Sequence, residues 1–354
     1  MTVAEAKTVR SSTTDPSLDI HLASARNGDA HEFSRLTEPY RRELLAHCYR
    51  ILGSLHDAED AVQETMLRAW RRLSTFEGRA SLRAWLYKIA TNACLDALDK
   101  RSRRTLPALT YPEGDPHQPL AAPVVEPIWL EPYPDDLLPD TAIDPEARYA
   151  MRESVTLAFL AVLQSLPPRQ RAVLILCDVL DWRASEVAEL LEATVSAVNS
   201  ALHRARTTMA QRYSARAFAT TNRMSIDEAT HSLLDRYVAA WESADVAGLT
   251  ALLRDDAVFS MPPIPSWYRG REAIGAIAIA MAFSGDARGR WRLTPIRANM
   301  QPAFGVYQRD DSDGAYHAFG IQLLMIDRGQ ITDITTFINP ALFSRFGLPD
   351  TASK

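Results

Sequence analysis

The sequence predicts a multidomain protein in which two all-α domains precede a C-terminal α+β domain. Three observations predict this fold class. At 354 residues the chain is longer than one core usually holds. Apolar residues recur at helical spacing in two separate blocks, and the last part alternates as strands do. The predicted divisions are a disordered tail (1–20), two helical domains (21–104 and 151–216), an acidic proline-rich linker (105–150) and an α+β domain (225–347).

Composition is that of a folded protein in water. Hydrophobic residues make up 47% of the chain and charged residues 23%. No apolar run of about 18 residues occurs, and the N-terminus lacks a signal-peptide stretch, so we expect no membrane contact and a cytosolic location. Cys48, Cys94 and Cys177 have no paired spacing, which favours reduced thiols over disulfides or a metal site.

The net charge is -5, but charged residues are distributed unevenly along the chain. Residues 26–104 contain 15 basic and 11 acidic side chains and end in the run KRSRR. Residues 105–150 contain nine acidic side chains against one base, Arg148. The first helical block is therefore mildly basic and the linker is acidic.

In the first block, the segment HDAEDAVQETMLRAWRRL predicts a helix with one apolar stripe. The stripe residues, which we expect in the core, are Ala58, Ala61, Val62, Met66, Ala69, Trp70 and Leu73. The opposite face is acidic and contains one exposed leucine; it comprises Asp60, Gln63, Glu64 and Leu67. From the pattern alone this face is either a solvated surface or a binding surface.

A second helix is predicted after Ser81, whose side chain is a plausible N-cap. The residues predicted to be buried are Leu82, Trp85, Leu86, Ile89, Ala93 and Ala97. The other side carries Tyr87, Lys88, Asn92 and Asp96 ahead of the basic run. Aromatic and amide groups near basic residues suit nucleic acid, although this signal alone is weak.

The second block predicts a helix-turn-helix. A helix opens after Pro167 and Pro168, and RASEVAELLEATVSAVNSALHRART reads as helix, tight turn, helix. The predicted inward residues of the last helix are Val195, Val198, Leu202, Ala205 and Met209. The predicted outward residues are Ser196, Asn199, Ser200, His203, Arg204 and Arg206, which suit a major groove. Helical hairpins of this length also occur in bundles that bind no DNA.

These motifs together resemble a known family. DAEDAVQETMLRAW and FEGRASLRAWLYKIATNACLDALDKRSRR resemble region 2 of the extracytoplasmic-function (ECF) sigma factors of the sigma-70 family, and LPPRQRAVLILCDVLDWRASEVAELLEATVSAVNSALHRAR resembles their region 4. The resemblance implies core RNA polymerase and promoter DNA as partners, with neither a catalytic site nor a cofactor or metal. A separate anti-sigma partner stays open.

The resemblance also implies roles for individual residues. It places core polymerase on the face formed by Asp60, Gln63, Glu64 and Leu67. It places the melted minus-ten DNA on the loop 76–80 and the following helix, at Phe76, Arg79, Lys88, Asn92 and Asp96. It assigns the minus-thirty-five duplex to Ser196, Asn199, Ser200, His203 and Arg204. One departure is Glu192, which stands in the turn where the family often has glycine, the residue suited to a left-handed cap.

The linker sequence WLEPYPDDLLPD combines aromatic, proline and acidic residues. In such sigma factors the connector between regions 2 and 4 threads the polymerase cleft, so Trp129, Tyr133, Asp135 and Asp136 would occupy a channel built for nucleic acid. The alternative is that the aromatic side chains fold back onto the sigma domains or the C-terminal domain.

For the C-terminal domain we predict a capping box at 225–228, a helix, a strand, a turn and helix, and then three strands. MPP, YRGREAI and TTFINPALFSRFGLP resemble the SnoaL-like branch of the NTF2-like cone fold. Some relatives are enzymes and others are regulatory modules. The acid-base candidates are His317, Tyr307, Arg297 and Asp333, which no spacing brings together. The candidate ligand-pocket residues are Trp267, Tyr268, Trp291 and His317.

We favour regulation over catalysis for this cone. The predicted function is promoter-specific transcription initiation as a sigma factor with a fused regulatory domain, and the protein as a whole is not an enzyme. The alternatives are a helix-turn-helix regulator with a small-molecule effector domain, and a SnoaL-like enzyme tethered to DNA.

Overall fold

A computed structural model describes residues 16–78, 80–99, 103–124, 129–139, 151, 153–217 and 228–352. The predicted DNA contact Arg79 and most of the predicted capping box at 225–228 lie outside these ranges. None of the helices in the described ranges is both long and apolar enough to cross a lipid bilayer.

The first helical domain contains five helices. They are α1 (Pro16–Arg26), α2 (Ala30–Thr37), α3 (Arg41–Leu52), α4 (Leu55–Arg72) and α5 (Leu82–Leu98). Helix α1 begins inside the tail that was predicted to be disordered. The Ser81 hydroxyl accepts a hydrogen bond from the Ala84 N–H, so the predicted N-cap is confirmed. The apolar stripe of α4 packs inward as predicted, with Met66 and Trp70 half-buried at its edges.

The linker is more structured than an extended tether. It contains the short helix α6 (Pro107–Thr110) and a 3₁₀ turn at Asp135–Leu137. Its strand-like bridge between Thr105 and Trp129 returns the chain to the end of the first domain. The described part of the linker is therefore packed into the molecule, with Leu130 fully buried.

The second helical domain contains the predicted helix-turn-helix. Its helices are α7 (Leu157–Leu163), α8 (Pro168–Leu174) with a π-helical extension (Ile175–Val179), α9 (Ala184–Leu190) and α10 (Val195–Ala217). The turn between α9 and α10 has the left-handed residue at Glu192, with φ of 52°, so the expected geometry forms without glycine. Val195 was predicted to face inward but is 45% exposed, because it starts α10 before that helix reaches the core.

The C-terminal domain folds as a sheet with helices on one face. The helices are α11 (Glu228–Ser243), α12 (Val246–Ala251) and α13 (Arg271–Met281). The strands are β1 (Leu253–Ser260), β2 (Trp267–Arg269), β3 (Trp291–Ala298), β4 (Gln301–Arg309), β5 (Tyr316–Asp327), β6 (Gln330–Phe337) and β7 (Thr351–Ala352). The strand order is β2-β1-β6-β5-β4-β3, with β7 beside β5.

Four long strands follow α13 where the sequence predicted three. The segment WRLTPIRANMQPAFGVYQR forms the hairpin β3–β4 instead of one strand. Its two-residue turn is made by Asn299 and Met300, with φ of 54° and 60°. Both values are positive, as a type I′ hairpin turn requires. The turn escaped prediction because it contains neither glycine nor proline.

Two hydrophobic cores hold the molecule together. One fills the space between the sheet and α11, α12 and α13. The other runs through both helical domains and the linker, and continues onto the opposite face of the sheet at Ala303, Tyr307 and Leu323. Alternate residues of each strand point to opposite faces, so a single sheet serves both cores.

Two buried arginines join the helical domains. Arg50 of α3 donates hydrogen bonds to the Ser154 hydroxyl (2.7 Å) and the Met151 carbonyl (3.1 Å). Arg171 of α8 donates to the carbonyl of Ile51 and to Gln164. Burial lowers the pKa of Arg171 to about 9. Because these acceptors are neutral, the contact retains a desolvation penalty that a carboxylate would offset.

Gly53 marks the point where the helical domains meet the linker. Its φ is 73°, and a Cβ there would lie 2.7 Å from Leu130 of the linker and 3.0 Å from Gln164. The close approach needs a residue without a side chain, and glycine also accepts the left-handed cap of α3.

Candidate polymerase and nucleic-acid interfaces

The α4 face predicted to bind polymerase is on the surface. Leu67 is 51% exposed, as single large apolar side chains on protein surfaces often are. Gln63 is exposed beside it, and Asp60 lies 3.8 Å from His56. Glu64 accepts from Arg68 at 2.6 Å. An acidic rim around an exposed leucine is a surface suited to a protein partner.

Two of the predicted minus-ten contacts, Phe76 and Lys88, line a groove between the two helical domains, whereas Asn92 and Asp96 lie outside its lining. The groove encloses about 860 Å³, and its other lining residues include Trp85 of the first domain and Trp182 of the second. Phe76 is buried and its ring lies 5.1 Å from that of Trp85. Phe76 therefore forms a wall of the groove, and its role as a minus-ten DNA contact stays a prediction.

The polar residues of α5 are already engaged by neighbouring side chains. Lys88 pairs with Glu192 of the helix-turn-helix at 3.1 Å, and Asp96 pairs with Arg68 at 2.9 Å. Asn92 is half-buried. The two ion pairs leave Lys88 and Asp96 accessible from solvent, since each has a side chain at least a third exposed.

Tyr87 was predicted on the solvent side of α5 and is buried instead. Its ring lies 4.9 Å from that of His47 and 5.4 Å from that of Trp182 in the second domain. Burial raises the pKa of the Tyr87 hydroxyl, and the neighbouring Glu43 carboxylate raises it further. The helix pattern could not show this, because Trp182 comes from another domain.

The outward face of α10 is arranged as predicted. Ser196, Asn199, Ser200, His203 and Arg204 are all exposed along this helix. Arg206 is also exposed, but it is held by Asp178 at 2.6 Å. The N-terminal half of a helix with several free polar side chains is the part that enters a major groove in helix-turn-helix proteins.

Comparison with known proteins identifies the domains. The family models for sigma-70 region 2, sigma-70 region 4 and the SnoaL-like domain match residues 36–104, 156–209 and 234–334. The ECF RNA polymerase sigma factor SigG of Mycobacterium tuberculosis is 45% identical over 332 residues, which cover 93% of this chain and 86% of that protein. The chain belongs to the ECF family of RNA polymerase sigma factors. Its function is promoter-specific transcription initiation, as the sequence predicted.

Two further comparisons place this sigma factor among others. The ECF RNA polymerase sigma factor SigW of Bacillus subtilis is 27% identical over 185 residues, covering 52% of this chain and 90% of SigW. The crystal structure of the M. tuberculosis extracytoplasmic function sigma factor SigJ superposes with a TM-score of 0.53 at 24% identity, covering 88% of this chain and 97% of SigJ. SigJ therefore shares the fold.

The linker of this sigma factor folds back onto its own domains, which was the alternative prediction. Tyr133 is fully buried with its ring 4.6 Å from that of Tyr49 in region 2. Trp129 is buried 5.7 Å from the ring of Tyr111. Asp135 accepts from the Arg297 guanidinium (3.1 Å) and the Met300 N–H (2.8 Å).

Only Asp136 of the four predicted linker residues is exposed. Burial raises the pKa of the Asp135 carboxyl, against the lowering effect of the Met300 N–H and Arg297. The carboxylate of Asp135 therefore holds the linker against the cone.

Asn299, at the tip of the β3–β4 hairpin, connects four parts of the chain and was missed by the sequence analysis. Its side-chain oxygen accepts from the Tyr133 N–H (2.8 Å), and its N–H₂ donates to the Tyr49 hydroxyl (2.9 Å) and the Val155 carbonyl (2.6 Å). The Asn299 backbone N–H donates to the Tyr133 carbonyl. Asparagine is typical of left-handed turns, so predicting a hairpin between β3 and β4 would have identified Asn299 as a turn residue.

The cone contains an apolar cavity of about 170 Å³. Trp291 lines it, but the other three predicted pocket residues do not. Trp267 is turned toward the linker, where its indole N–H donates to the Tyr111 carbonyl (2.8 Å), and Tyr268 packs in the neighbouring core. His317 lies on the surface beside Asp313 at 2.8 Å. The prediction treated all aromatic residues alike because sequence does not show which face of a short strand is inward.

The acid-base candidates are dispersed, as expected. The Tyr307 hydroxyl donates to the Pro349 carbonyl, and Arg297 pairs with Asp135. Asp333 lies on the outer face of the sheet, in a separate cleft. Within the described part of the chain, the cone cavity is lined by no aspartate, glutamate, histidine, lysine or arginine.

Proposed function

We propose that this sigma factor binds core RNA polymerase through Asp60, Gln63, Glu64 and Leu67. The minus-ten strand then enters the groove beside Lys88 and continues along α5 past Asn92 and Asp96, and α10 reads the minus-thirty-five duplex. The observation that carries the proposal is the exposed Leu67 within an acidic helical face. Burial of one leucine on a partner contributes about 2 kcal/mol, which makes it a useful anchor.

The cone and linker act as an internal regulator of the two DNA-binding regions. Support comes from Asn299, which bonds to region 2, the linker and the start of the second helical domain at once. Arg345 of the cone forms an ion pair with Glu59, adjacent to the polymerase-binding face of α4. A cone held there disfavours the separation of regions 2 and 4 that a polymerase-bound arrangement requires.

On polymerase, the linker leaves this position and enters the cleft. Trp129 and Tyr133 then lose their contacts within the chain and contact the polymerase instead. The ion pair between Asp135 and Arg297 is broken. The acidic sequence suits a positively charged channel. The linker thus has two positions, one folded onto the chain's own domains and one in the polymerase cleft. The protein works with polymerase in the cytosol.

The cone works as a binding or contact module without catalysis. Its cavity offers apolar walls and the side-chain amide of Gln308, which can hold a small uncharged ligand beside Trp291. General acid-base catalysis would need a titratable group within hydrogen-bond reach of such a ligand. The cavity wall supplies none among the described residues.

Run-off transcription with core polymerase tests the proposed function. The variant Leu67→Asp should reduce specific transcript at least tenfold, because it places a charge where an apolar contact forms. Leu109→Asp is the matched control, since Leu109 is 42% exposed on α6, outside the polymerase-binding face. Thermal unfolding should be alike for both variants. Normal initiation by Leu67→Asp would refute this assignment of the polymerase surface.

A further inference from the structure

Acidic side chains of region 4 form one wall of the groove, and region 2 forms the other. Asp181, Glu186 and Glu189 line the groove from the side of α9, opposite Arg83 and Lys88 of region 2. Glu186 and Glu189 are exposed to the groove and to solvent. In the proposed function this groove holds single-stranded DNA, whose phosphates require positive charge.

Glu192 makes the direct contact across the groove. Its carboxylate lies 3.1 Å from the Lys88 ammonium, although its own side chain is 79% exposed. The residue adopts a left-handed φ of 52°, a conformation that glycine adopts without strain. The turn thus holds a strained residue whose side chain carries the ion pair.

An aromatic contact fixes α9 above the groove. The Trp182 ring, which precedes α9 in the chain, lies 5.4 Å from the ring of Tyr87 in region 2. The backbone N–H of Trp182 donates to the Leu176 carbonyl in the π-helical turn, so the backbone that carries this ring is held to the body of region 4. The carboxylates of α9 are therefore presented from a defined position.

We infer that the acidic surface of α9 substitutes for DNA phosphates and occludes the minus-ten groove in the free protein. It is an occluding contact between the two DNA-binding regions, additional to the cone. The inference rests on the proposed DNA-binding role of the groove. Polymerase, by separating regions 2 and 4, removes α9 and exposes Lys88 to the DNA backbone.

Binding of DNA to the free full-length chain tests the inference. The probe is a fluorescently labelled single-stranded oligodeoxynucleotide of mixed sequence, measured by anisotropy at fixed ionic strength. Glu192→Gln should bind it about threefold more tightly than the unmodified chain, since an exposed ion pair contributes modestly. Glu272→Gln is the matched control, because it removes the same charge from an exposed site on α13, and its affinity should be unchanged.

A distance measurement distinguishes the opening of the groove from a general effect of the altered charge on DNA affinity. Spin labels at Thr75→Cys and Ser185→Cys, both exposed positions, report the separation of the groove walls. Adding the oligodeoxynucleotide, or introducing Glu192→Gln, should lengthen this separation. The charge exchange Lys88→Glu with Glu192→Lys should preserve it and bind the probe no better than the unmodified chain.

The outcomes distinguish the two proposals. Equal DNA affinity of the Glu192→Gln and unmodified chains, with an unchanged label separation, refutes occlusion by α9 and leaves the groove as a DNA site. If Lys88→Glu also leaves DNA binding by the polymerase complex unchanged, the groove itself is misassigned and both proposals fail.

Discussion

His47 shows how one buried side chain sets a property of the folded state. Its ring is fully buried in region 2, with Nε2 2.9 Å from the Thr91 hydroxyl. Nδ1 has no hydrogen-bond partner among the described residues. Burial, followed by the nearby charges of Arg50 and Arg83, lowers the pKa of His47 to about 3. The residue is therefore neutral in the folded protein at physiological pH.

Stability should fall as pH decreases, because the unfolded chain protonates His47 first. Between the ordinary histidine pKa near 6.5 and about 3, the unfolded state binds one more proton at this site, so the free energy of unfolding rises with pH there. The limiting slope is about 1.4 kcal/mol per pH unit. Urea unfolding at several pH values should show a shallower dependence for His47→Met.

The matched substitution is His31→Met, at an exposed histidine in the same domain. It should retain the pH dependence of the unmodified protein. Identical slopes for His47→Met and the unmodified chain would mean that His47 is accessible to protons in the folded state.

For single residues, the sequence predicted the exposure of Leu67 correctly but did not predict which residues pack against Tyr87. The pattern of α4 correctly left Leu67 outside, because one helix period decides which side faces its own domain. Tyr87 was misplaced because residues distant in the sequence bury its ring: His47 of the same domain and Trp182 of region 4. Helical periodicity contains no information about a second domain.

At the scale of elements, helices were predicted best. Their period and the N-cap at Ser81 are local features. The hairpin β3–β4 was read as one strand because Asn299 and Met300 carry no glycine or proline signal. The turn before α10 formed despite Glu192, since the surrounding helices fix its ends.

Helix α10 should determine promoter preference through a few side chains. Asn199→Ala and Arg204→Ala should each weaken binding to the preferred minus-thirty-five duplex by about 1–3 kcal/mol relative to an unrelated duplex, because a lost base contact removes discrimination. Competition binding by the polymerase complex with the two duplexes measures the difference.

Arg212→Ala supplies the control on the same helix. Arg212 is exposed, but it lies more than two turns beyond Arg204. Loss of the Arg212 side chain should weaken binding to both duplexes equally. Equal weakening of both duplexes by Asn199→Ala would remove the residue from sequence recognition.

At the scale of the whole molecule, the contacts between domains combine a continuous hydrophobic core with a polar set centred on Asn299. The polar set consists of its three side-chain hydrogen bonds and the two buried arginines, Arg50 and Arg171. Buried guanidinium groups on neutral acceptors give a specific arrangement with limited net stability. In the proposed function these polar contacts break when the domains separate on polymerase.

Asn299→Ala should loosen the arrangement and raise initiation. It leaves the Tyr133 N–H and the Val155 carbonyl without their partner, at a cost of about 1–3 kcal/mol for each unpaired buried group. Small-angle scattering should show a larger radius of gyration, and run-off transcription at limiting sigma factor should give several times more transcript.

Met300→Ala is the control at the same hairpin tip. Its backbone N–H keeps the hydrogen bond to Asp135, so the arrangement should persist. An expanded Asn299→Ala protein with unaltered transcription would show that the cone contact does not regulate initiation. A chain ending after Arg216 should behave like Asn299→Ala, if the cone acts only through this contact.

The sequence by itself determined the order of the modules, the α4 face, the helix-turn-helix and its outward residues. These depend on spacing within one or two helical turns, where each residue's surroundings follow from its neighbours. Only the tertiary structure decided which of those surfaces are covered: the groove by α9, Tyr133 by Tyr49, and the hairpin tip by the helical domains. Those contacts join residues as far as 250 positions apart, and no local pattern encodes them.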